Sequence, residues 1–235
     1  MKIEIWSDYA CPYCYIGKRY LEEALARFEH AQEVEIVYRA FELDPSAGRS
    51  VTTTTLGRIE NKYGKTAAQA QQMIDHIISM GASAGLDMRY GTVRYTNTFD
   101  AHRLTHFAAT KGISAAVTEG LFRAYFTDNL ALAEREVLIK VAVEAGLDHS
   151  EVAAMLASDE FSTDARADES RAREMGIRSV PHMVIDGEQQ FAGAQPAEHV
   201  LRVLQDLWAE SRGSDESRPT DTPSCGMDGC IPTRN

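Results

Sequence analysis

Cys11 and Cys14, three positions apart with Pro12 and Tyr13 between them, are the residues of this chain best suited to covalent chemistry. Upstream, Lys2-Ile3-Glu4-Ile5-Trp6 alternates polar and apolar residues as a strand does. Downstream, an amphipathic helical pattern runs through Lys18, Leu21, Leu25 and Phe28. A CxxC where a strand turns into a helix is the position expected of a dithiol/disulfide pair. The first helical turn leaves backbone N–H groups unpaired at the positive end of the helix dipole, which favours a thiolate at Cys11. Pro12 suits the first helical position, since its missing N–H would have found no partner there. At i+3, Cys14 is close enough to attack a mixed disulfide on Cys11 and release whatever is bound.

The other two cysteines, Cys225 and Cys230, form a second close pair, and the long middle of the chain has none. Gly226 and Gly229 would let a tight turn bring those sulfurs within bonding distance. The pair reads either as an electron relay to Cys11/Cys14 or as an inert tail. A four-cysteine zinc site is the weaker alternative, because four residues between Cys225 and Cys230 is not a usual zinc spacing.

Composition narrows the partners. With 235 residues, 44% hydrophobic and 25% charged, the chain has ample material for a globular core. A formal net charge of −11 argues against a nucleic-acid interface and against docking on an acidic membrane. Met1 leads almost directly into the first strand without a signal-like apolar run, so a cytoplasmic location is expected.

After the first helix, Glu33 to Ala40 alternates again, giving a second strand to about Leu43 and hence a parallel βαβ unit. From Val51 to Met175 the pattern is helical, with stops at Gly85, Gly112 and Gly146, and segment 88–96 reads as a loop. Strands resume at Ser179-Val180-Pro181-His182-Met183-Val184-Ile185, turn at Asp186-Gly187, and lead through Gln190 to Gly193 into a last helix opened by Pro196. Residues 211–224, rich in Ser, Asp, Arg, Pro and Thr, read as a flexible linker of random-coil reach about 20 Å.

This order of elements resembles the α/β thioredoxin fold with the large all-helical insertion of the DsbA family, and within it the FrnE-like dithiol oxidoreductases. The matching residues are Trp6-Ser7-Asp8 before the CxxC, Asn97-Thr98-Phe99-Asp100-Ala101-His102-Arg103, Ser179-Val180-Pro181, Gly193-Ala194-Gln195-Pro196 and the terminal Cys225/Cys230 pair. The expected organisation is a thioredoxin-like domain from 1–48 and 176–210, an inserted helical domain at 49–175, and a tail at 211–235. The resemblance implies that Cys11 is the attacking thiol, Cys14 the resolving one, and Pro181 a cis-proline facing them. Val180 and Pro181 would hold a substrate strand, with Pro12, Tyr13 and His182 beside it. Pro-Tyr between the cysteines is the pair familiar from glutaredoxins, whose potentials are roughly −200 to −230 mV. It implies a moderate exchanger of reductase or isomerase type rather than a strong oxidant.

The implied substrates are disulfide-containing or unfolded proteins. Thioredoxin or glutathione is the candidate electron donor, and no metal or organic cofactor is required. Two other functions fit the same frame: a glutathione-dependent isomerase or kappa-type transferase, whose relatives carry serine at the position of Cys11, and a holdase binding unfolded chains. Several polar residues have plainer readings beside their chemical ones. His182 is either a cation near the thiols or an ordinary strand histidine. Asp8 is either a proton carrier for Cys14 or a pin for the loop. Asn97, His102 and Arg103 line a cleft in glutathione-using relatives, yet Asn97 or Thr98 is also a plain helix cap. His102 and His106, at i and i+4, lack the further ligands of a metal motif.

Overall fold

A computed structural model of the chain describes residues 1–216, so Cys225 and Cys230 lie outside the described residues. Strand β1 (Lys2–Ser7) leads through helix α1 (Pro12–Ala26) to β2 (Glu35–Ala40), while β3 (His182–Ile185) and β4 (Gln189–Ala192) come late in the chain. The sheet order is β2-β1-β3-β4. β1 and β2 are parallel, in register from Lys2 with Glu35 to Ser7 with Ala40, as a βαβ crossover requires. β3 runs antiparallel to β1 with Trp6 opposite His182, and β4 antiparallel to β3. The turn expected at Asp186-Gly187 is present, with both residues at positive φ (48° and 81°), the hairpin geometry that Asp-Gly favours. β2 stops three residues short of the expected Leu43. The Leu43 amide bonds the Asp8 carboxylate, which draws the chain off the ladder.

Between β2 and β3 lie the helices α2 (Thr55–Tyr63), α3 (Ala67–Ser83), α4 (Phe99–Thr110), α5 (Ser114–Phe126), α6 (Arg135–Glu144), α7 (His149–Ala157) and α8 (Ser162–Glu174). The expected stops Gly85, Gly112 and Gly146 all take the left-handed conformation that ends helices. Segment 88–96 is mostly irregular, with a single 3₁₀ turn at Tyr90–Thr92. α9 (Ala197–Glu216) follows Pro196. The result is a mixed α/β molecule with the element order of a DsbA-like thioredoxin fold.

The period-two alternation of β1 divides the interior. Ile3 and Ile5 face a core made with Leu21 and Ala24 of α1, Phe28 just after it, Met183 and Ile185 of β3, and Val200, Leu201 and Leu204 of α9. Trp6 faces the other way, into a larger core with Cys11, Cys14, Tyr15 and Ile16 and the apolar faces of the helical block. α1 is therefore buried on two sides, and its N-terminus sits on the seam between the cores. Tyr15 stacks on Phe122 of α5, and the Tyr15 hydroxyl donates to Glu119 at 2.8 Å. Lys18, almost fully buried, also reaches Glu119, at 2.6 Å. Burial alone would raise the Glu119 carboxyl, but Lys18, Tyr15 and Arg19 bring it below the usual range.

Glu4, on the polar face of the central strand, is buried yet fully engaged. Arg171 of α8 grips both its oxygens at 2.8 Å, and Arg39 of β2 donates through Nε at 2.9 Å. Burial would raise its carboxyl; the two guanidinium groups overcome that and hold it low. A depressed carboxyl contributes stability that is complete above its unfolded value, about 4.3, and is lost as pH falls through the folded one. Glu4→Gln should therefore cost about 3 kcal/mol at pH 7, the scale for breaking a buried ion pair. The difference from wild type should shrink at pH 3, as urea denaturation at the two pH values would show. An equal difference at both would mean that the charge contributes nothing.

Candidate active site

Cys11 is the N-cap of α1, with extended backbone (φ −95°, ψ 112°), and Pro12 takes the first helical position. The turn is set by two backbone bonds, Cys11 N–H to the Asp8 carbonyl at 3.0 Å and Cys14 N–H to the Cys11 carbonyl at 3.1 Å. Both cysteines are free thiols here, and both are largely covered, at 4% and 3% exposure. Their surroundings differ. The Cys11 thiol points at the Val180 carbonyl, 3.4 Å away, and the Val180–Pro181 peptide is cis. Cys14 is enclosed by the core. Burial, followed by the neighbouring Cys11 sulfur, pushes its thiol well above the ordinary value, against weaker help from the Asp8 backbone and the Ser7 hydroxyl. Tyr13, between them, is 37% exposed and stands at the surface.

The Val180-Pro181 loop is held from both sides. Gly193, after β4, donates its N–H to the Pro181 carbonyl at 2.8 Å. Gly17 of α1 faces the proline ring: a Cβ there would stand 3.1 Å from Pro181 Cγ and 3.5 Å from the Ala194 backbone. Glycine at this helical position lets the loop lie against α1 beside the sulfurs, a requirement not visible from the CxxC motif. His182, next along, shares a hydrogen bond of 3.0 Å with the Gln190 side chain across the hairpin. The structure thus brings Cys11, Cys14, Pro12, Tyr13, Val180 and Pro181 together at one end of α1, with His182 engaged on β3.

Asp8 pins the loop. One oxygen accepts from Ala10 N–H at 3.2 Å and from the Thr98 hydroxyl at 2.8 Å, and the other from Leu43 N–H at 2.7 Å. His102 Nε2 lies 3.7 Å away, buried and without a hydrogen-bond partner. The segment Asn97–Arg103 is structural rather than cleft-lining. Asn97 Oδ1 caps α4 through Phe99 N–H, while its amide donates to the buried Glu42. Arg103, 4% exposed, donates to the carbonyls of Met155, Ser158 and Glu160 and so ties α4 to the α7–α8 connection. Burial removes both His102 and Arg103 from any open cleft.

His102 and His106 do not converge on a metal. His106 Nε2 lies 2.9 Å from Asp168, a different acid from the one beside His102. Among the described residues no group of three or more His, Cys, Asp or Glu is placed to hold a metal ion. No helix among them is long and apolar enough to cross a membrane.

Comparison with known proteins agrees with this geometry. Residues 2–205 match the model of the DSBA-like thioredoxin domain family. The chain superposes on the crystal structure of a probable DsbA oxidoreductase from Streptomyces coelicolor with a TM-score of 0.85 and 38% identity, covering all of both chains. More distant likenesses share the fold. One is a 2-hydroxychromene-2-carboxylate isomerase (TM-score 0.66, 14% identity, 93% of this chain and 100% of that one). Another is the cytosolic disulfide reductase DsbM from Pseudomonas aeruginosa (TM-score 0.59, 15% identity, 89% of this chain and 100% of that one).

The buried Cys14 thiol has a consequence for stability. A group whose folded value is raised stabilises the fold fully below its unfolded value, about 8.5 for cysteine, and that contribution is lost as pH rises toward the folded one. The reduced protein should lose stability between pH 8.5 and 10 with a slope approaching about 1.4 kcal/mol per pH unit. Cys14→Ala should flatten this slope in guanidinium titrations. An unchanged slope would place the effect elsewhere.

Proposed function

The chain belongs to the DSBA-like thioredoxin domain family, and from that premise we propose that it is a FrnE-like thiol–disulfide oxidoreductase of reductase or isomerase type. The observation that carries this reading is the Cys11 thiol at the α1 N-terminus, facing the Val180 carbonyl beside cis Pro181, with Cys14 one turn behind. In the reducing direction the Cys11 thiolate attacks one sulfur of a substrate disulfide. A Cys11–substrate disulfide forms, and the other substrate sulfur leaves as a thiolate and takes a proton. Cys14 then gives up its proton and attacks the Cys11 sulfur. The Cys11–Cys14 disulfide forms, the second substrate thiol departs, and two electrons have passed to the substrate. Isomerisation is the same first step followed by attack from another substrate thiol.

The roles follow from position. Val180 and Pro181 would offer backbone groups to an incoming strand, with exposed Tyr13, buried Pro12 and His182 as the neighbouring positions of the proposed substrate site. The sulfurs carry both electrons, so the cycle calls for an external thiol rather than a bound cofactor. Glutathione or thioredoxin is the proposed donor and disulfide-containing or unfolded proteins the proposed substrates. DsbM, the cytosolic reductase that shares the fold, has also been solved with glutathione, which supports glutathione as donor and a cytoplasmic location. Cys225/Cys230 is proposed as a relay pair.

A glutathione-dependent isomerase is the second reading, favoured by the shared fold with the 2-hydroxychromene-2-carboxylate isomerase. It has no use for a resolving thiol one turn behind Cys11. Trapping separates the two. Cys14→Ala should accumulate mixed disulfides through Cys11, resolved on non-reducing gels and absent in Cys11→Ser; no adducts under oxidative stress would overturn the redox reading. The relay has its own test. Replacing both Cys225 and Cys230 by Ser should slow turnover with a macromolecular dithiol donor several-fold while leaving the Cys11/Cys14 potential unchanged. Undiminished turnover would rule the relay out.

A further inference from the structure

An open cavity of about 610 Å³ lies between the segment after β2 and helix α2, joined by one hydrogen bond to the loop that leads to Cys11. Its position is fixed by bonds already described: Leu43, on its wall, is held to Asp8, three residues before Cys11. Tyr90, buried at the 3₁₀ turn that packs on α2, belongs to the same core as Cys11. Tyr63, the last residue of α2, follows the cavity residue Lys62.

The lining is cationic in a molecule of net charge −11. Arg58 stacks on the Tyr95 ring, 4.1 Å from its centre, and its Nε is buried without a hydrogen-bond partner. Among the described residues, neither Arg58 nor Lys62 has a carboxylate within ion-pair distance, whereas Lys18, Arg19, Arg39, Arg166 and Arg171 all do. The one acid in the wall, Asp44, is occupied by Ser46 N–H and hydroxyl and by the Tyr95 hydroxyl. Of the five most exposed large hydrophobic side chains among the described residues, Leu43 lines the cavity, Val51 and Tyr63 neighbour lining residues in the chain, and Tyr13 stands between the two cysteines; the fifth, Val143, is on α6.

We propose that this cavity is a substrate subsite that takes an acidic side chain, Asp or Glu, of a polypeptide whose disulfide cysteine is presented to Cys11. This inference rests on the thiol–disulfide reading and adds a sequence preference to it. Arg58 and Lys62 outweigh the single carboxylate of Asp44, which leaves one net positive charge for the acid, and exposed Leu43 supplies apolar contact area for the chain between acid and cysteine. Because the net charge repels acidic chains at long range, a preference for them has to arise from local contacts.

The test uses short peptides carrying cysteine as a mixed disulfide with thiopyridine, with Glu, Gln or Lys placed at successive positions on either side. In a Cys14→Ala background, the Cys11 thiolate attacks the peptide sulfur and expels the thiopyridine thiolate, whose absorbance gives the rate. In at least one register Glu should react about three- to tenfold faster than Lys, the scale of a partly exposed ion pair. Lys62→Glu should abolish or reverse that ratio; Lys62 is exposed, so this variant tests the site even if Arg58→Gln disturbs the stacking on Tyr95. Equal rates in every register, a ratio unchanged by Lys62→Glu, or a Lys62 dependence confined to glutathione disulfide would each overturn the proposal. If no peptide reacts at Cys11, the redox reading fails separately. Fluorescence anisotropy with labelled cysteine-free Glu and Lys peptides then decides the subsite, equal affinities counting against it.

Discussion

The Asp8 carboxylate is the point on which the site depends. It accepts hydrogen bonds from Ala10, Leu43 and Thr98, which belong to the redox loop, the chain leaving β2 and the start of α4. A carboxylate removed from water is costly unless its oxygens are satisfied. Satisfying Asp8 therefore fixes three segments remote in sequence at one place. The loop before Cys11, the chain at Leu43 on the wall of the cavity and the start of α4 are positioned together. Ladder hydrogen bonds alone would align only the strands.

The same economy governs the sulfurs. α1 is packed against the sheet through Leu21 and Ala24 and against the helical block through Tyr15 and Ile16, so its N-terminus cannot shift without disturbing both cores. Gly17 then admits the Pro181 loop to the same helix, which sets the Val180 carbonyl 3.4 Å from Cys11. Rigid supports on three sides suit a reaction that needs sulfur, incoming sulfur and leaving sulfur in line.

The architecture was legible because its signals are periodic. The alternation of β1, the CxxC after it, the Asp-Gly hairpin and the glycine-stopped helices each report a local rule, and the structure contains each of them. Residues whose meaning depends on distant partners were not legible. Asn97, His102 and Arg103 are polar residues in a helix start, and nothing local distinguishes a cleft lining from a buried tie; only the carbonyls of Met155, Ser158 and Glu160 do. Lys18 falls on the apolar stripe of α1, a visible anomaly, yet its partner Glu119 is a hundred residues away. Gly17 carries no signal within a helix until the proline it admits is known. The cavity is likewise assembled from the segment after β2, from α2 and from Tyr95, whose relation no spacing rule predicts.

The two thiols are not interchangeable, and the difference orders the reaction. Cys11 occupies a helix end, adjoins the exposed Tyr13 and faces the Val180 carbonyl, so in the proposed reaction a disulfide approaches from that side. Cys14 is walled off, and its thiol is held protonated by burial well above the ordinary range. A thiol that ionises reluctantly attacks slowly. In the proposed cycle release is the step that burial of Cys14 slows, while choice of substrate falls to the surface around Cys11. In the proposed function, separating capture from release in this way would let one motif serve reduction, when Cys14 attacks, and isomerisation, when another substrate thiol arrives first.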